Sequence, residues 1–176
     1  KRQAIGHSQG TLSTFVATGR AEAGEVIVLA QLIGAAITRT ARTHGLVRNA
    51  EGSPMVAVSG ATQEQIEKAG GRIGLRNGRD KFIIVGTPAE VAAVQGRLEA
   101  AASKDAKLVE SKQRGGAPFA PRFSQLDIQA AYHHPAMEEA VAQVIVWGKT
   151  AGLDPVLVEE GARAVLTDIV DWPARV

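Results

Sequence analysis

The chain has 176 residues, enough for one domain, or for a domain with a small insertion, built around a real hydrophobic core. Apolar residues make up 45% and charged residues 22% of it, as in soluble globular proteins, and a net charge of +2 argues against a nucleic-acid partner. The lack of cysteine excludes disulfides and thiol catalysis, and without an apolar run of about 18 residues or a signal-peptide pattern we predict a cytoplasmic protein.

Near the start of the chain, Gly6-His7-Ser8-Gln9-Gly10 follows Ala4-Ile5 and precedes a helical pattern. Between a strand and a helix, a Gly-x-Ser-x-Gly segment is typical of a nucleophile elbow, whose small residues permit a strained turn that exposes the serine. We therefore predict Ser8 as the nucleophile and the backbone N–H of Gln9 as an oxyanion donor at the positive end of the helix dipole. An ordinary strand-to-helix turn is the alternative, because short Gly/Ser strings also arise by chance.

Two helices are predicted after the elbow. Apolar residues recur at helical spacing between Leu12 and Val16, which places a first helix directly behind Ser8. The segment from Gly24 to His44 carries a wide apolar stripe, and Gly45 is a typical helix stop. We expect this second helix to be well buried.

From Pro54 onward the hydrophobic pattern changes to short strands. Thr62 and Thr87 are predicted helix starts, because each is followed three positions later by a residue that completes a capping box or suits a first helical turn. Asn77-Gly78 predicts a turn between two strands. With a last strand at 122–129 the order is βαββαβ, which predicts a ferredoxin-like subdomain. The other predicted strands are 55–58, 72–76 and 81–85.

Residues 100–121 are rich in Ala, Lys, Gly and Pro, and their composition predicts a mobile loop. Its basic residues could attract phosphates or an acidic carrier protein. A solvated linker without a function of its own is the alternative.

The C-terminal part contains Tyr132-His133-His134-Pro135, followed by helical patterns around 137–148 and 155–169. A serine nucleophile needs a base, and histidine is the usual one because its pKa lies near the working pH. The pair His133-His134 lies at a strand-to-helix junction that suits a catalytic base. The other two histidines of the chain suit this role less well, since His7 points away from Ser8 within the elbow and His44 ends a helix.

The third member of a triad is less clear from the sequence. Asp127 is the only acidic residue in a strand context between Ser8 and His133. A dyad of serine and histidine, with the imidazole oriented by a backbone carbonyl, is the simpler hypothesis.

These features, in this order and spacing, resemble the acyltransferase domain of type I fatty acid synthases over nearly the whole chain. Gln9 after the serine is typical of the fungal and actinobacterial synthases, whereas stand-alone malonyl transferases tend to have Leu there. The segments that carry the resemblance are the elbow at 6–10, Ser53-Pro54-Met55 and residues 77–88 of the insert, and Tyr132-His133-His134-Pro135.

The resemblance implies an α/β fold with an α/β-hydrolase-like core and an inserted ferredoxin-like βαββαβ subdomain. The core is expected in residues 1–52 and 131–176, and the ferredoxin-like subdomain in residues 53–130. The N-terminal portion of the family's core, which supplies a second oxyanion donor, has no counterpart in this sequence, so we expect the chain to be part of a domain.

The resemblance also implies a ping-pong acyl transfer in fatty acid biosynthesis. Ser8 takes an acyl group from coenzyme A, and the phosphopantetheine thiol of an acyl carrier protein then removes it. His133 corresponds to the base, and His134 falls on a variable position. The implied partners are the acyl carrier protein and other domains of the multienzyme, with no nucleic acid, membrane, metal or bound cofactor.

The identity of the transferred acyl group is predicted from one position on the second helix. Malonyl-transferring members hold the malonyl carboxylate there with a bidentate arginine, and counting from Ser8 places this position at Ile33. A malonate left desolvated and unpaired costs on the order of several kcal/mol. We therefore expect acetyl or another short uncharged acyl group, with Ile33 and Asn77 as walls of the substrate site. A slip along the helix would bring Arg39 to this position instead.

Other functions stay open at this point. Within the same chemistry, the chain could be a malonyl or palmitoyl transferase of the synthase. A thioesterase or lipase-type hydrolase would have to admit water to the site. A noncatalytic scaffold part of the multienzyme is the alternative from a different class.

Overall fold

The structure is a computed structural model that describes Gly6, residues 8–167 and the backbone of residues 170–171. The predicted strand at Ala4-Ile5 and His7 lie outside the described residues. The elements in chain order are α1 (Gly10–Ala17), α2 (Ala23–Thr43), β1 (Met55–Ser59), α3 (Gln63–Lys68), β2 (Arg72–Arg76), β3 (Lys81–Val85), α4 (Pro88–Glu110), β4 (Arg122–Gln125), a 3₁₀ turn (Pro135–Met137), α5 (Glu138–Thr150), α6 (Pro155–Leu166) and β5 (Val170–Asp171).

The chain divides into two compact units. The helical unit comprises residues 1–45 and 132–170, and the sheet unit comprises residues 46–131 and 171–176. Each is described by itself below. The domain boundaries implied by the resemblance stay a prediction.

The helical unit is built from α1, α2, α5 and α6, which pack on one another. Helix α2 begins with a capping box between Glu22 and Glu25. Asp154 is the N-cap of α6, and its side chain accepts hydrogen bonds from two backbone N–H groups of the first turn. Gly148 lets α5 and α6 approach closely, since a Cβ there would lie 2.7 Å from Val158. The fully buried core includes Phe15, Leu29, Val141 and Leu166.

Helix α2 is also apolar enough, by length and composition alone, to cross a membrane. It is the one such helix among the described residues, with 21 residues and a mean hydropathy of 1.3 over its most apolar stretch. This helix differs from the expectation that the chain has no apolar segment of membrane-spanning length. Core helices of soluble proteins pass the same test, so this is weak evidence, and the absence of a membrane partner stays a prediction.

The sheet unit runs β1-α3-β2-β3-α4-β4, and its strands are ordered β4-β1-β3-β2 with antiparallel pairing throughout. The two-residue strand β5 is next to β2 in the sheet order. Helices α3 and α4 both begin with capping boxes, at Thr62 and Thr87, as the sequence predicts. Apolar residues of the strands and of these two helices form one core, including Val56, Phe82, Ile84, Ile66 and Val94.

The predicted helices and strands are present in the described residues, but the last strand ends at Gln125 and not at residue 129, and the predicted loop at 100–121 is wrong in its first half. The prediction that the second helix is well buried is also wrong, because α2 packs against its neighbours along one side only and more than half of its residues are exposed. Helix α4 continues to Glu110. The stretch from Ala100 to Glu110 is rich in Ala and Lys, which have high helix propensity, and the first helix-breaking residues after it are Gly115, Gly116 and Pro118. The overall fold is mixed α/β with a small antiparallel sheet, while the hydrolase-like and ferredoxin-like assignments stay predictions.

The segment after α4 is tied to the helix by one carboxylate. Asp105 accepts two hydrogen bonds from the guanidinium of Arg114, at 2.6 Å each, and a third from the backbone N–H of Phe119 at 2.7 Å. These contacts, with Arg114 as the larger cause, hold the pKa of the Asp105 carboxyl below its ordinary value of 3.8.

We expect Asp105→Asn to release the segment around Phe119 without unfolding the sheet, because the substitution removes the charged carboxylate that accepts three hydrogen bonds. Hydrogen exchange of the Phe119 amide should become faster in this variant. In the wild type the stabilisation from the ionised Asp105 carboxylate is fully present above the ordinary pKa of this group, and it is lost as pH falls through the lowered pKa. Unchanged exchange of Phe119 would show that the carboxylate does not hold the segment.

Candidate active site

Ser8 and His133 face each other within the helical unit. The Ser8 Oγ lies 2.9 Å from the Nε2 atom of His133, although the two residues are 125 positions apart in the chain. Both are buried, with 8% and 2% of their surface exposed. A hydroxyl within hydrogen-bond reach of an imidazole nitrogen is the geometry in which histidine can take the serine proton.

The turn that carries Ser8 is strained and tightly packed. Ser8 has a positive φ of 51°, a conformation that costs free energy for any residue with a side chain. A Cβ on Gly6 would lie 2.4 Å from the carbonyl carbon of Gly10, so only glycine fits there. At Gly10 itself a Cβ would meet nothing within 4 Å. Gly6 therefore lets the backbone on the two sides of Ser8 pass closely.

Helix α1 begins directly behind the nucleophile. The first backbone bonds run from the N–H of Thr11 to the carbonyl of Ser8 and from the N–H of Leu12 to the carbonyl of Gln9. Gln9 is the N-cap residue, and its side chain makes no capping hydrogen bond. The N–H groups of Gln9 and Gly10 precede these first bonds at the positive end of the helix dipole, where N–H groups can bind negative charge that develops next to Ser8.

His133 is held by backbone and aromatic contacts. It also has a positive φ, of 59°, and its backbone N–H donates to the carbonyl of Leu166 at 2.7 Å. The Tyr132 ring packs edge-on against the imidazole, with ring centres 5.3 Å apart, and burial raises the pKa of the Tyr132 phenol. Tyr132 was not predicted to have a separate role. An aromatic residue directly before the candidate base was the available signal.

The neighbouring His134 has a different position. It is the N-cap of the 3₁₀ turn at Pro135–Met137, and its Nδ1 accepts a hydrogen bond from the backbone N–H of Ala136 at 3.2 Å. The structure thus places one histidine of the pair next to Ser8 and uses the other to begin the following turn.

Ile33 lies in the same unit as the Ser8 and His133 pair. It is 3% exposed and lines a cavity of about 490 Å³, together with Gln9. Arg39, the alternative at this position, is exposed and does not line that cavity. Ile37 also lines it; the sequence pattern places Ile37 on the same apolar side of the helix as Ile33, four residues away, but it was not predicted as a site residue.

The remaining candidates lie elsewhere. Asn77 is an exposed residue of the sheet unit, where it lines a cavity of about 240 Å³ that also includes Lys81. The side chain of Asp127 is 96% exposed and lies 3.5 Å from Arg48 of the same unit. The described residues contain no group of three or more potential ligands that could hold a metal ion.

Comparison with known proteins adds one sequence match and several structural ones. The family model of the fatty acid synthase central AT domain matches residues 54–125, which run from the start of β1 to the end of β4. A search of the curated proteins finds no match to the chain.

The chain also matches several solved structures. FabD from Acinetobacter baumannii has a TM-score of 0.63 and 17% identity, with 97% of this chain and 55% of that chain covered. MCAT from Mycobacterium tuberculosis has a TM-score of 0.58 and 19% identity, with 96% of this chain and 54% of that chain covered. The acyltransferase domain of an iterative polyketide synthase in enediyne biosynthesis has a TM-score of 0.59 and 18% identity, with 95% of this chain and 44% of that chain covered.

The chain spans about half the length of these proteins. It therefore shares the fold of acyltransferase structures over that half, and its sheet unit carries the sequence pattern of the fatty acid synthase central AT domain.

Proposed function

We propose that the protein is an acyltransferase of a type I fatty acid synthase of the actinobacterial or fungal kind. It moves an acetyl group from coenzyme A to the phosphopantetheine thiol of an acyl carrier protein. The observation that carries the proposal is the 2.9 Å approach of the Ser8 Oγ to the His133 Nε2 at a strained turn before a helix. The match of residues 54–125 to the fatty acid synthase family model and the acyltransferase fold of the structural neighbours support it.

The first half of the reaction loads the serine. As the Ser8 Oγ attacks the thioester carbonyl, the Nε2 of His133 takes the hydroxyl proton. The negative charge on the carbonyl oxygen develops beside the N-terminus of α1, where the N–H of Gln9 is the proposed donor. The C–S bond then breaks, the coenzyme A sulfur takes the proton from the imidazolium, and the acyl group stays on Ser8 as an ester.

The second half runs the same steps with another thiol. The phosphopantetheine thiol gives its proton to the Nε2 of His133, and its sulfur attacks the ester carbonyl of acyl-Ser8. The attack gives a tetrahedral intermediate. Its collapse breaks the ester bond, and the imidazolium returns a proton to the Ser8 oxygen. The enzyme is regenerated with the acyl group on the carrier protein. No cofactor of the chain itself takes part, and coenzyme A enters only as substrate.

The lining of the cavity near Gln9 supports an uncharged acyl group. Ile33 lines it, and Arg39 does not. A malonyl carboxylate placed there would lose its hydration and meet no cation among the described lining residues. An acetyl group carries no such cost. Asn77 stays a proposed substrate contact that rests on the resemblance alone.

We expect Ile33→Arg to raise the ratio of malonyl to acetyl transfer by roughly 100-fold or more, because a guanidinium can pair with the malonyl carboxylate in a bidentate contact. The measurement is acyl-enzyme formation from radiolabelled acetyl-CoA and malonyl-CoA in the intact protein. Ile33→Gln controls for a buried polar side chain without charge, and Ala35→Arg for a cation on the exposed side of α2. Equal malonyl and acetyl labelling of the wild type would overturn the acetyl assignment.

The same experiment separates the catalytic hypothesis from the scaffold hypothesis. An acyltransferase becomes labelled on Ser8, and a noncatalytic scaffold takes no label from either thioester. The proposed partners are the acyl carrier protein and the neighbouring domains of the synthase, and the proposed location is the cytoplasm. The α/β-hydrolase-like core and the ferredoxin-like subdomain are parts of the same proposal, which the βαββαβ order of the sheet unit supports.

A further inference from the structure

A cavity of about 510 Å³ lies in the sheet unit between α3, α4 and the segment that follows α4. Its volume lies in the range of pockets that hold small organic ligands. Residues of both helices line it, and Arg114 and Phe119 line it from the segment after α4. We call this cavity the α3–α4 pocket. The proposed acyl transfer makes no use of it.

Part of the surface of the α3–α4 pocket is apolar. Leu98 of α4 is 1% exposed, and Ala69 at the end of α3 is 7% exposed. Phe119 is half-buried and packs against the same core, and the bond from its backbone N–H to the Asp105 carboxylate ties it to α4. This surface favours a ligand with an apolar body, since covering it removes apolar area from water.

The charged residues of the pocket leave one cation without a counter-charge. Arg114 is neutralised by Asp105 through two hydrogen bonds of 2.6 Å. Lys68 pairs with Glu64, one turn earlier on α3, at 2.8 Å. Arg97 pairs with no carboxylate in the described part of the chain. The pocket therefore offers the charge of one guanidinium to a ligand.

The guanidinium of Arg97 is held at the wall of the pocket, although the residue is exposed. Its Nε donates a hydrogen bond to the carbonyl of Ala69 at 2.6 Å. The absence of a side chain at Gly70 leaves room for it, because a Cβ there would lie 3.2 Å from the Nη2 atom. The N–H groups of the two Nη atoms stay available for a ligand. A guanidinium fixed in this way can bind a carboxylate through two parallel hydrogen bonds.

We propose that the α3–α4 pocket binds an apolar monocarboxylate, with the carboxylate on Arg97 and the hydrocarbon body on Leu98 and Phe119. One guanidinium balances one carboxylate. A phosphate ester with nearly two negative charges would keep a net charge beside apolar surface, which is unfavourable. A neutral apolar ligand would gain nothing from the guanidinium. The proposed site lies within the sheet unit and is independent of acyl transfer to Ser8.

Two pairs of variants separate the charge from the apolar surface. Arg97→Gln removes the guanidinium, and Arg79→Gln is its matched control, because Arg79 is an exposed arginine of the same unit outside the described lining. Ala101→Phe places a ring in the pocket from the exposed side of α4. Ala100→Phe places the same ring on the preceding residue, which is also exposed and is not among the described residues of the lining.

The test is binding of octanoate to the intact protein, followed by the NMR chemical shift of the Phe119 amide, with 1-octanol and inorganic phosphate as comparison probes. We expect octanoate to bind the wild type saturably and more tightly than either comparison probe. Arg97→Gln and Ala101→Phe should each weaken octanoate binding about tenfold, a difference of about 1.4 kcal/mol. Arg79→Gln and Ala100→Phe should leave the affinity unchanged.

Three results would overturn the proposal. One is the lack of a saturable shift of Phe119 with octanoate. Another is an equal effect within either pair of variants, which would show attraction to the general surface and not to this pocket. The third is tighter binding of 1-octanol or of inorganic phosphate, which would assign the pocket to a neutral or a more highly charged ligand. Acetyl labelling of Ser8 tests the proposed function separately.

Discussion

Replacing Ser8 with alanine is expected to abolish the covalent acyl-enzyme and to lower acyl transfer by roughly 10⁴-fold or more. The reason is that Ser8 supplies the only atom at which the acyl group is held between the two thiols in the proposed reaction. His133→Ala should have an effect of similar size, because the Nε2 that lies 2.9 Å from the Ser8 Oγ would no longer take its proton. Both rates are measured as transfer of label from acetyl-CoA to the carrier protein.

The double variant Ser8→Ala/His133→Ala sharpens this prediction. Residues that act as one unit are not additive, so the double variant should be no slower than the slower single variant. His134→Ala is the matched control, since His134 is the adjacent histidine and its ring nitrogen accepts a bond from Ala136. This control should keep activity within a few-fold of the wild type. Losses that multiply in the double variant would contradict a nucleophile and base that act together.

Gly6→Ala is the prediction with the second largest effect. The added Cβ would lie 2.4 Å from the carbonyl carbon of Gly10, and backbone atoms cannot move aside as the end of a flexible side chain can. The turn must therefore open, which we expect to cost about 1–3 kcal/mol in the free energy of unfolding. The opening also moves the Ser8 Oγ away from His133, so the acyl-enzyme should form at least about 100-fold more slowly.

Gly10→Ala is the matched control for this substitution. A Cβ at Gly10 meets nothing within 4 Å, and alanine favours a helix over glycine by about 1 kcal/mol. We expect this variant to be as stable as the wild type or more stable, with acyl-enzyme formation preserved. Denaturant unfolding and acetyl labelling together check both variants. Equal behaviour of Gly6→Ala and Gly10→Ala would show that the turn does not depend on the close approach at Gly6.

Much of the secondary structure follows from local rules. Thr62 and Thr87 predict helix starts because a hydroxyl and a residue three positions later satisfy free N–H groups within one turn, and both capping boxes are present. The loop prediction at 100–121 failed in its first half for a related reason. The helix propensity of Ala100 to Glu110 outweighs the polar composition of that stretch, which alone does not distinguish a solvated helix from a loop.

The candidate site could be predicted only in part. Local sequence explains why Ser8 follows Gly6 and precedes a helix, since those features lie within one turn of chain. No local rule joins Ser8 to His133 across 125 residues. The junction before Pro135 indicated the histidine pair as the base, and the choice of His133 over His134 rests on the resemblance of the motifs to a known family. The positive φ of His133 and the cavity lined by Ile33 and Gln9 depend on packing between helices distant in the chain, so periodicity did not reveal them.

The most direct measurement is mass spectrometry of the peptide that contains Ser8, taken from intact protein quenched after brief exposure to acetyl-CoA. The proposed function predicts an acetyl ester on Ser8 that disappears when a phosphopantetheine thiol is added before the quench. It also predicts that His133→Ala forms this ester far more slowly. An unmodified Ser8 peptide, or an acetyl group on another residue that still reaches the thiol, would contradict it.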